Sequence, residues 1–251
     1  MTASSPVHSP DRSMQFFDIT LPTASENVAL DEALVVAAEE GHGGPTLRVW
    51  ELDHRAVVLG ASGRRLDDVE VEACGADGVA IARRSSGGGT VLIGPGALNF
   101  TVVLPIDADP RLRAVDSAQL LILQTAAEAL RRLGPDVRVL GSGDLTIDGR
   151  KFSGSAQRRL KRYVMVHASI IYNLPTDLIA RYLRPPNRQP AYRERRSHGD
   201  FLTYLPLPRP AIVEALRSSW DAVSKGHDPP IRLAQQLVLE KFGRADWIER
   251  L

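Results

Sequence analysis

Short apolar segments recur through the first 174 residues of the chain, separated by turns rich in Gly, Pro, Asn and Asp. Such segments are typical of β-strands. The pattern predicts strands at Gln15–Ile19, Leu47–Glu51, Ala56–Gly60, Val79–Arg84, Thr90–Ile93, Leu98–Leu104, Val137–Leu140, Leu145–Ile147, Lys151–Gln157 and Val164–Leu174. Asp148-Gly149, a preferred pair for a two-residue hairpin turn, joins two of them.

Apolar residues spaced three and four apart predict helices between and after these strands. The predicted helices are Asn27–Glu39 with Ser25 as its cap, Leu66–Ala76, Asp116 or Ser117 to about Leu133, Thr176–Leu183, Pro210–Ser224 and Arg232–Leu251. The longest of them is expected to bury Leu120, Leu121, Leu123, Ala127 and Leu130. Together these elements favour an α+β fold, a mostly antiparallel sheet flanked by helices.

The length of 251 residues suits one large domain or two small ones. Because no internal repeat and no linker of shifted composition is visible, we expect one domain over residues 14–251, ending in a helical tail. Residues 1–13 are rich in Ser and Pro and predict a disordered tail. An irregular Pro- and Arg-rich loop is expected at Arg184–Leu205.

Charge and cysteine content exclude several classes of function. The 31 basic and 30 acidic side chains nearly cancel, which argues against a dedicated nucleic-acid binder. No stretch approaches the roughly 20 apolar residues of a membrane span, and no signal-peptide core is visible, so a cytoplasmic location without membrane contact is expected. The single cysteine, Cys74, excludes an internal disulfide and a multi-cysteine zinc site.

The segment Arg83–Thr90, with its three consecutive glycines, is the first candidate for chemistry. Glycines let a ligand approach the backbone closely, and the flanking arginines can bind carboxylate or phosphate. The spaced Gly-Lys-Ser/Thr ending of a Walker A loop is absent. A tight glycine turn with solvated arginines is the alternative interpretation.

Lys151 is the second candidate, since only four of the 31 basic residues are lysines and this one lies among glycines and serines. Strand alternation after the Asp148-Gly149 turn predicts that Lys151, Ser153 and Ser155 share one face. An ammonium there could neutralise charge on a phosphate or an acyl oxygen. A solvated lysine on a surface hairpin is the alternative.

Two further residues favour a structural role on local evidence. His167 lies in a mostly apolar strand, where a histidine usually satisfies one hydrogen bond of the core. Cys74 lies among carboxylates at the end of an acidic helix, where both the helix dipole and its neighbours disfavour a thiolate. The arginines of Arg193–Arg196 indicate either a solvated loop or a lid or docking surface.

Taken together, the segments resemble the lipoate–protein ligase family, within the larger group of biotin and lipoate ligase catalytic domains. Arg83–Gly89, followed by Gly96 and Asn99-Phe100, resembles the most specific signature of that family. Asp144–Ala156 resembles the second, and Lys151 falls where the family places its essential lysine. Weaker support comes from residues 27–32, 57–60 and 167–173. The resemblance covers roughly residues 15 to 185.

This resemblance implies an ATP-dependent reaction in which lipoate or octanoate forms an acyl-adenylate, with Mg²⁺ assistance. The acyl group then passes to a lysine of a lipoyl carrier domain, in a 2-oxoacid dehydrogenase E2 or the glycine-cleavage H protein. It implies that Lys151 is catalytic, that Trp50 and Val58 line an acyl tunnel, and that Asp144 is a metal ligand. The implied substrate- and adenylate-binding residues are Arg84, Ser86, Gly87, Gly88, Gly89, Thr90, Asn99, Asp144, Ser153, Gly154, Ser155, Ala156 and His167.

Several positions depart from the family pattern. Gly143 stands where Asn is common, Ser62-Gly63-Arg64 where a Gln-Asn pair is common, and Ala168 where Gly is common. A His usual near Gly94 is also missing. These departures leave metal coordination and acyl-chain fit open. The chain is near the size of the catalytic domain alone, so a separate accessory-domain protein is an expected partner.

Two other functions stay open. One is an ATP-independent octanoyl or lipoyl transferase of the same fold, which would need a thiol nucleophile that Cys74 is poorly placed to supply. The other is a non-catalytic subunit that binds lipoate or a lipoyl domain. A biotin ligase is disfavoured because its Gly-Arg-Gly-Arg and Lys-Trp-Pro-Asn-Asp patterns are absent.

Overall fold

A mixed eight-stranded sheet forms the centre of the computed structural model, which describes residues 13–186, 189–222, 224, 225 and 228–251. In the described residues its strands are β1 Gln15–Asp18, β2 Thr46–Trp50, β6 Ala97–Pro105, β7 Arg138–Leu140, β8 Asp144–Ile147, β9 Arg150–Arg159, β10 Tyr163–Ile171 and β11 Ser224–Lys225. Their order is β11-β1-β2-β6-β10-β9-β8-β7. Only β11, β1 and β2 run parallel to one another, so the expected antiparallel character is confirmed.

A second, three-stranded sheet lies beside the first. Its strands are β3 Ala56–Leu59, β4 Ala80–Arg83 and β5 Val91–Ile93, in the order β4-β3-β5. β3 pairs in parallel with β4 and antiparallel with β5. The glycine-rich segment is the connection between β4 and β5, so the small sheet holds both of its ends.

Helices cover both faces of the main sheet and also pack on both sides of the small one. They are α1 Ala24–Glu40, α2 Arg65–Asp68, α3 Val71–Ala76, α4 Val115–Arg131, α5 Asp177–Tyr182, α6 His198–Phe201, α7 Arg209–Ser219, α8 Ile231–Leu237 and, after a π-helical turn over Val238–Phe242, α9 Ala245–Ile248. Apolar residues of α4 and α7 pack on one face of the main sheet, and those of α1 and α8 pack on the other. None of the described helices is both long and apolar enough to cross a bilayer.

The structure corrects four details of the sequence prediction. Thr23, and not Ser25, caps helix α1. The Thr23 hydroxyl accepts from the Glu26 amide, and the Glu26 carboxylate accepts from the Thr23 amide. The predicted helix over residues 66–76 is broken, because Val69 leaves it to bridge Leu183. Leu120 is 44% exposed and lies outside the core. The predicted final helix over 232–251 is three short helical segments. Residues 1–12 of the predicted tail lie outside the described residues.

Candidate functional site

A cleft of about 600 Å³, counted out to its open mouth, lies between the α1 face of the main sheet and the small sheet. Its floor is a row of residues that are cross-strand partners on β2, β6, β10, β9 and β8. In that order they are Trp50, Asn99, Ser169, Gly154 and Asp144. At about 4.8 Å between strands, four spacings place the two ends of this row about 19 Å apart. A long, thin ligand therefore fits across the strands.

The two ends of the cleft differ in polarity. Trp50 closes one end together with apolar side chains of α1 and the small sheet, which are Val28, Val58, Val91 and Ile93. The indole nitrogen of Trp50 is buried without a hydrogen-bond partner. Lys151, Thr90, Arg84 and His167 line the polar part. This polarity suits an acyl chain with a charged or activated carboxyl group.

Arg84 shapes the glycine-rich loop from inside. Its guanidinium donates to the carbonyl oxygens of Val58, Gly87 and Gly89 at 3.3, 2.5 and 2.8 Å and to the Ser86 hydroxyl at 2.9 Å. Burial lowers its pKa to about 10, which leaves it charged at neutral pH. Most N–H donors of Arg84 are therefore bonded to the loop itself. This differs from the expectation that this guanidinium binds carboxylate or phosphate oxygens of a ligand directly.

Gly88 is the glycine whose backbone the loop requires. Its φ is +82°, in the left-handed region that favours glycine. Gly60 packs directly against it, since a Cβ built on Gly60 would lie 2.1 Å from the Gly88 carbonyl oxygen. A Cβ built on Gly87 or on Gly89 would meet no atom within 4 Å, so the loop presents open backbone on both sides of Gly88.

A chain of hydrogen bonds runs from this loop into the core. The Ser86 hydroxyl lies 2.6 Å from Nε2 of His167, whose Nδ1 lies 3.3 Å from Asp31. Asp31 in turn pairs with Arg48 at 2.6 Å, with both side chains almost fully buried. Burial opposes ionisation of Asp31, but Arg48 and His167 outweigh it and hold its pKa below the ordinary value. His167 thus links the loop to a buried ion pair.

A bulge in β9 sets the direction of Lys151. The β8–β9 register passes from Leu145 opposite Ser153 to Thr146 opposite Lys151, so Phe152 is an extra residue. Ser153 therefore lies on the α4 side, where it is buried, and the predicted common face for Lys151, Ser153 and Ser155 is wrong. Lys151 lies instead on the side of Gly154, and a Cβ built on Gly154 would come within 2.8 Å of its Nζ.

Asp144 and Tyr192 complete the polar end. Lys151 Nζ lies 2.8 Å from Oδ1 of Asp144, and the Tyr192 hydroxyl donates to Oδ2 at 2.6 Å. Burial and Asp144 both raise the pKa of Tyr192, so it stays a donor. Tyr192 belongs to the Pro- and Arg-rich loop, and the backbone amide of Thr203 near the end of that loop donates to the Lys151 carbonyl at 2.9 Å. That loop is thus attached to the site.

Most of the sequence-predicted residues meet at this cleft. Those that line it are Trp50, Val58, Arg84, Gly89, Thr90, Asn99, Lys151, Gly154, Ser155, Ala156 and His167. Ser86, Gly87 and Gly88 form the loop behind them, and Ser153 is directed away. Sequence reasoning missed Tyr192 and Gln119 and used Asp31 only within a weak motif. Nothing in a Pro-rich loop or a helix surface marks such residues, because their role depends on tertiary contacts.

The departure at Gly143 has a structural explanation. A Cβ at this position would lie 2.1 Å from Nε2 of Gln119 on α4 and 2.6 Å from Oγ of Ser155. Gln119 Nε2 donates to the Ser155 hydroxyl at 2.8 Å, and that hydroxyl donates to the Gly143 carbonyl at 2.7 Å. The Gln119 amide therefore fills the space that a side chain at position 143 would take.

This arrangement predicts that Gly143→Asn alone disturbs the hairpin, because its Cβ overlaps the Gln119 amide. Because the Gln119 amide is the movable end of a partly exposed side chain, we expect the free energy of unfolding to fall by about 1 kcal/mol, the low end of the cost of overpacking. The double variant Gly143→Asn with Gln119→Ala should recover most of that loss in urea denaturation. Equal stabilities of the single and double variants would contradict the assignment of Gln119 to this space.

Cys74 lies outside the cleft. It is 1% exposed, and it lines a separate cavity beside α3 and α9. Burial is the main cause that raises the pKa of its thiol. The expected structural role fits this position, and the sequence contains no other thiol.

Comparisons with known proteins agree with this geometry. The family model of the lipoyl protein ligase A/B catalytic domain matches residues 23–206. A relative from Aeropyrum pernix, provisionally named lipoate-protein ligase A, is 32% identical over 224 aligned positions, covering 89% of this chain and 78% of the relative. The octanoyltransferase LipM of Carboxydothermus hydrogenoformans is 28% identical over 265 positions, covering 94% and 98%.

Solved structures show the same fold. A bi-partite lipoate protein ligase from Thermoplasma acidophilum, described with its E2 lipoyl domain, gives a TM-score of 0.80 at 20% identity, covering 95% of this chain and 97% of that one. A lipoate-protein ligase A bound with ATP gives 0.78 at 24% identity, covering 95% and 100%. Because the family model spans most of the chain, the protein belongs to the lipoyl protein ligase A/B catalytic domain family.

Proposed function

We propose that the protein is an ATP-dependent lipoate– or octanoate–protein ligase. In the first step a carboxylate oxygen of the fatty acid attacks the α-phosphorus of ATP, and pyrophosphate leaves. In the second, the neutral ε-amine of a carrier lysine attacks the acyl carbon, AMP leaves, and an amide bond forms with loss of one proton. The observation that carries this proposal is the placement of the Lys151 ammonium over Gly154, at the polar end of a cleft whose other end is apolar.

Lys151 is proposed to be the catalytic residue of both steps. Its Nζ lies beside the backbone of Gly154, which has no side chain. The carboxyl group of the fatty acid and the α-phosphate of ATP can therefore both reach this ammonium. Both steps build negative charge on oxygens at this point, and a fixed ammonium stabilises that charge. Asp144, 2.8 Å from Nζ, holds the ammonium in place before the ligand arrives.

The other residues are proposed to bind and orient the adenylate. Arg84 and Ser86 act by fixing the loop, so that open backbone at Gly87 and Gly89 faces the ligand, while Gly88 gives the loop its turn. Thr90, Asn99, Ser155, Ala156 and His167 line the cleft and are proposed to contact the ligand. Ser153 is buried on the α4 side and supports β9 instead.

Asp144 can contribute to a Mg²⁺ site only together with the substrate. The described residues contain no group of three or more His, Cys, Asp or Glu that could hold a metal ion. Mg²⁺ commonly takes one or two carboxylates and completes its shell with phosphate oxygens and water. Asp144 is suited to supply one such carboxylate, although its two oxygens already accept from Lys151 and Tyr192. When bound, the ion would neutralise phosphate charge.

Lipoyl carrier domains are the proposed protein substrates, as the resemblance implies, and a separate accessory-domain protein stays a predicted partner. The relative of known structure from Thermoplasma is described as bi-partite and with its E2 lipoyl domain, which supports both. The cytoplasmic location also stays a prediction from the sequence.

An ATP-independent octanoyl transferase is the second candidate, because the LipM relative aligns over 94% of this chain. Such a reaction needs a nucleophile that carries the acyl group. Cys74 is buried outside the cleft and its pKa is raised, which is unsuited to a thiolate nucleophile. The absence of any other cysteine from the sequence favours the ligase.

Intact-mass analysis of a lipoyl domain tests the proposal directly. The domain is incubated with the protein, Mg²⁺ and lipoate or octanoate, with and without ATP, and in parallel with an octanoylated carrier protein as donor. The ligase predicts acylation only with ATP and the free acid. Acylation from the carrier donor without ATP would establish the transferase, and binding of lipoate with no product in any mixture would indicate a non-catalytic subunit.

Trp50 is expected to limit the length of the acyl chain, because it closes the apolar end of the cleft. Trp50→Ala should shift preference towards fatty acids several carbons longer than octanoate, and raise KM for octanoate about tenfold, as lost contact in an apolar pocket does. Competition between acids of eight and twelve carbons measures the shift. An unchanged chain-length preference would show that the acyl chain does not end against Trp50.

A further inference from the structure

We propose that residues 245–251, here called the clip, hold the glycine-rich loop in its ligand-binding shape through the side chain of Arg83. The clip lies outside the segment matched by the family model, which ends at residue 206. Arg83 is therefore a positioning residue, and the clip is a part of the site that acts without touching the ligand. The kinetic test of this proposal rests on the proposed function. The hydrogen-exchange test does not depend on that function.

Arg83 is a fully buried guanidinium bound to carbonyl oxygens. Nε and Nη2 donate to the Ile248 carbonyl at 3.0 and 2.8 Å, and Nη2 also donates to that of Arg250 at 2.9 Å. Nη1 donates to the carbonyls of Gly60 and Gly63 at 3.0 and 2.6 Å. One side chain thus ties the clip to the turn that follows β3.

That turn contacts the glycine-rich loop directly. The Ala61 amide donates to the Ser86 carbonyl at 2.8 Å, and Gly60 packs against Gly88. The clip holds the same turn from the other side, since Arg250 donates to the Ala61 carbonyl at 2.6 Å. A displacement of the clip would therefore free the turn and the loop together.

The clip is also fixed to the backbone of the motif itself. The indole nitrogen of Trp247 donates to the Arg83 carbonyl at 3.0 Å, and the guanidinium of Arg250 lies 3.6 Å from the centre of the Trp247 ring. Arg84 is the next residue along the chain and carries the bonds that shape the loop. Its position thus depends on contacts made by the clip to Arg83.

Loss of the clip leaves a buried charge without its partners. Three of the five hydrogen bonds of Arg83 end on the clip, and a buried guanidinium that loses its acceptors must move towards water. Such a movement would draw β4 away from β3 at the start of the loop. The main sheet lies elsewhere, with its own pairings, and should stay intact.

Removal of residues 245–251 tests the inference. In the absence of any ligand, we expect amide hydrogen exchange to be at least tenfold faster at Ala61 and Arg84, whose amides donate to the Ser86 and Leu59 carbonyls. Exchange in β6 and β10 should be unchanged. We also expect KM for ATP and lipoate to rise at least tenfold, with a smaller change in kcat. A synthetic peptide of residues 243–251, added in excess, should restore slow exchange and KM.

Arg244→Ala is the matched control, because Arg244 precedes the clip and its guanidinium pairs with the exposed carboxylate of Asp246. It should change neither the exchange at Ala61 and Arg84 nor KM. Arg83→Lys in the full chain covers the case in which the truncated protein does not fold, and should speed exchange at the same residues. Unchanged exchange in Arg83→Lys, or in a folded truncated protein, would overturn the inference. A wild-type protein without turnover would instead reject the proposed function, while the exchange result still decides the role of the clip.

Discussion

Replacing Lys151 with alanine is expected to lower the rate of acyl transfer by about 10²–10³-fold, the range observed when one group that stabilises transition-state charge is removed. The side chain is partly exposed and lies over Gly154, so truncation leaves no buried cavity. Thermal unfolding should therefore change little. Single-turnover formation of the acyl-adenylate and its transfer to a carrier lysine, measured separately, should both slow, because the ammonium is proposed to act in both steps.

Lys161 supplies the matched control, since it is an exposed lysine in the turn between β9 and β10. Lys161→Ala should transfer acyl groups at the wild-type rate. Lys151→Arg keeps the charge but enlarges the group beside Gly154, so a partial loss is expected. Turnover of Lys151→Ala within a fewfold of wild type would reject the catalytic role, even if the protein proved to be a ligase.

The floor of the site could largely be predicted from the sequence. The strands that carry the floor were predicted from their apolar segments, and residues of the glycine-rich and lysine segments line one cleft. Trp50 and Val58 were placed by resemblance, and both line the cleft. Such features are local in the chain or repeat with a period of two residues, so the sequence carries them directly.

The direction of Lys151 was not predictable in the same way. Simple alternation grouped it with Ser153, but the bulge at Phe152 reverses that relation. A bulge depends on how β8 and β9 pair, and not on the composition of either strand. The partners of Arg83 and Gln119 were hidden for a similar reason, because each of these side chains joins segments distant in sequence.

The buried pair of Arg48 and Asp31 gives the largest expected effect on stability. Arg48 donates to Asp31 at 2.6 Å, to the Asn27 carbonyl and side chain at 2.8 and 2.6 Å, and to the Ile19 carbonyl at 3.2 and 3.0 Å. Arg48→Met leaves the Asp31 carboxylate buried without this partner. Breaking a buried pair in this way costs about 3–5 kcal/mol. Urea denaturation at pH 7 measures the loss.

The double variant Arg48→Met with Asp31→Asn should lose less stability than the sum of the two single variants, because neither charge then remains buried alone. Arg138→Met is the control, as Arg138 and Asp136 form an exposed pair and should contribute little. Additive losses in the double variant would show that the two side chains act independently, contrary to their 2.6 Å contact.

The pH dependence of this loss follows from the pKa of Asp31. In the wild-type protein that pKa lies below its ordinary value of 3.8, so the ionised pair stabilises the fold above about pH 4, and the contribution disappears as pH falls through the folded pKa. Without Arg48, the largest cause that lowers this pKa is gone while burial still raises it, so the ionised Asp31 contributes less stability. The difference between the two proteins should therefore be largest at neutral pH and shrink below pH 4. A difference independent of pH would assign the loss to the packing of Arg48 against Trp50, whose ring centre lies 5.3 Å from the guanidinium carbon, and not to charge.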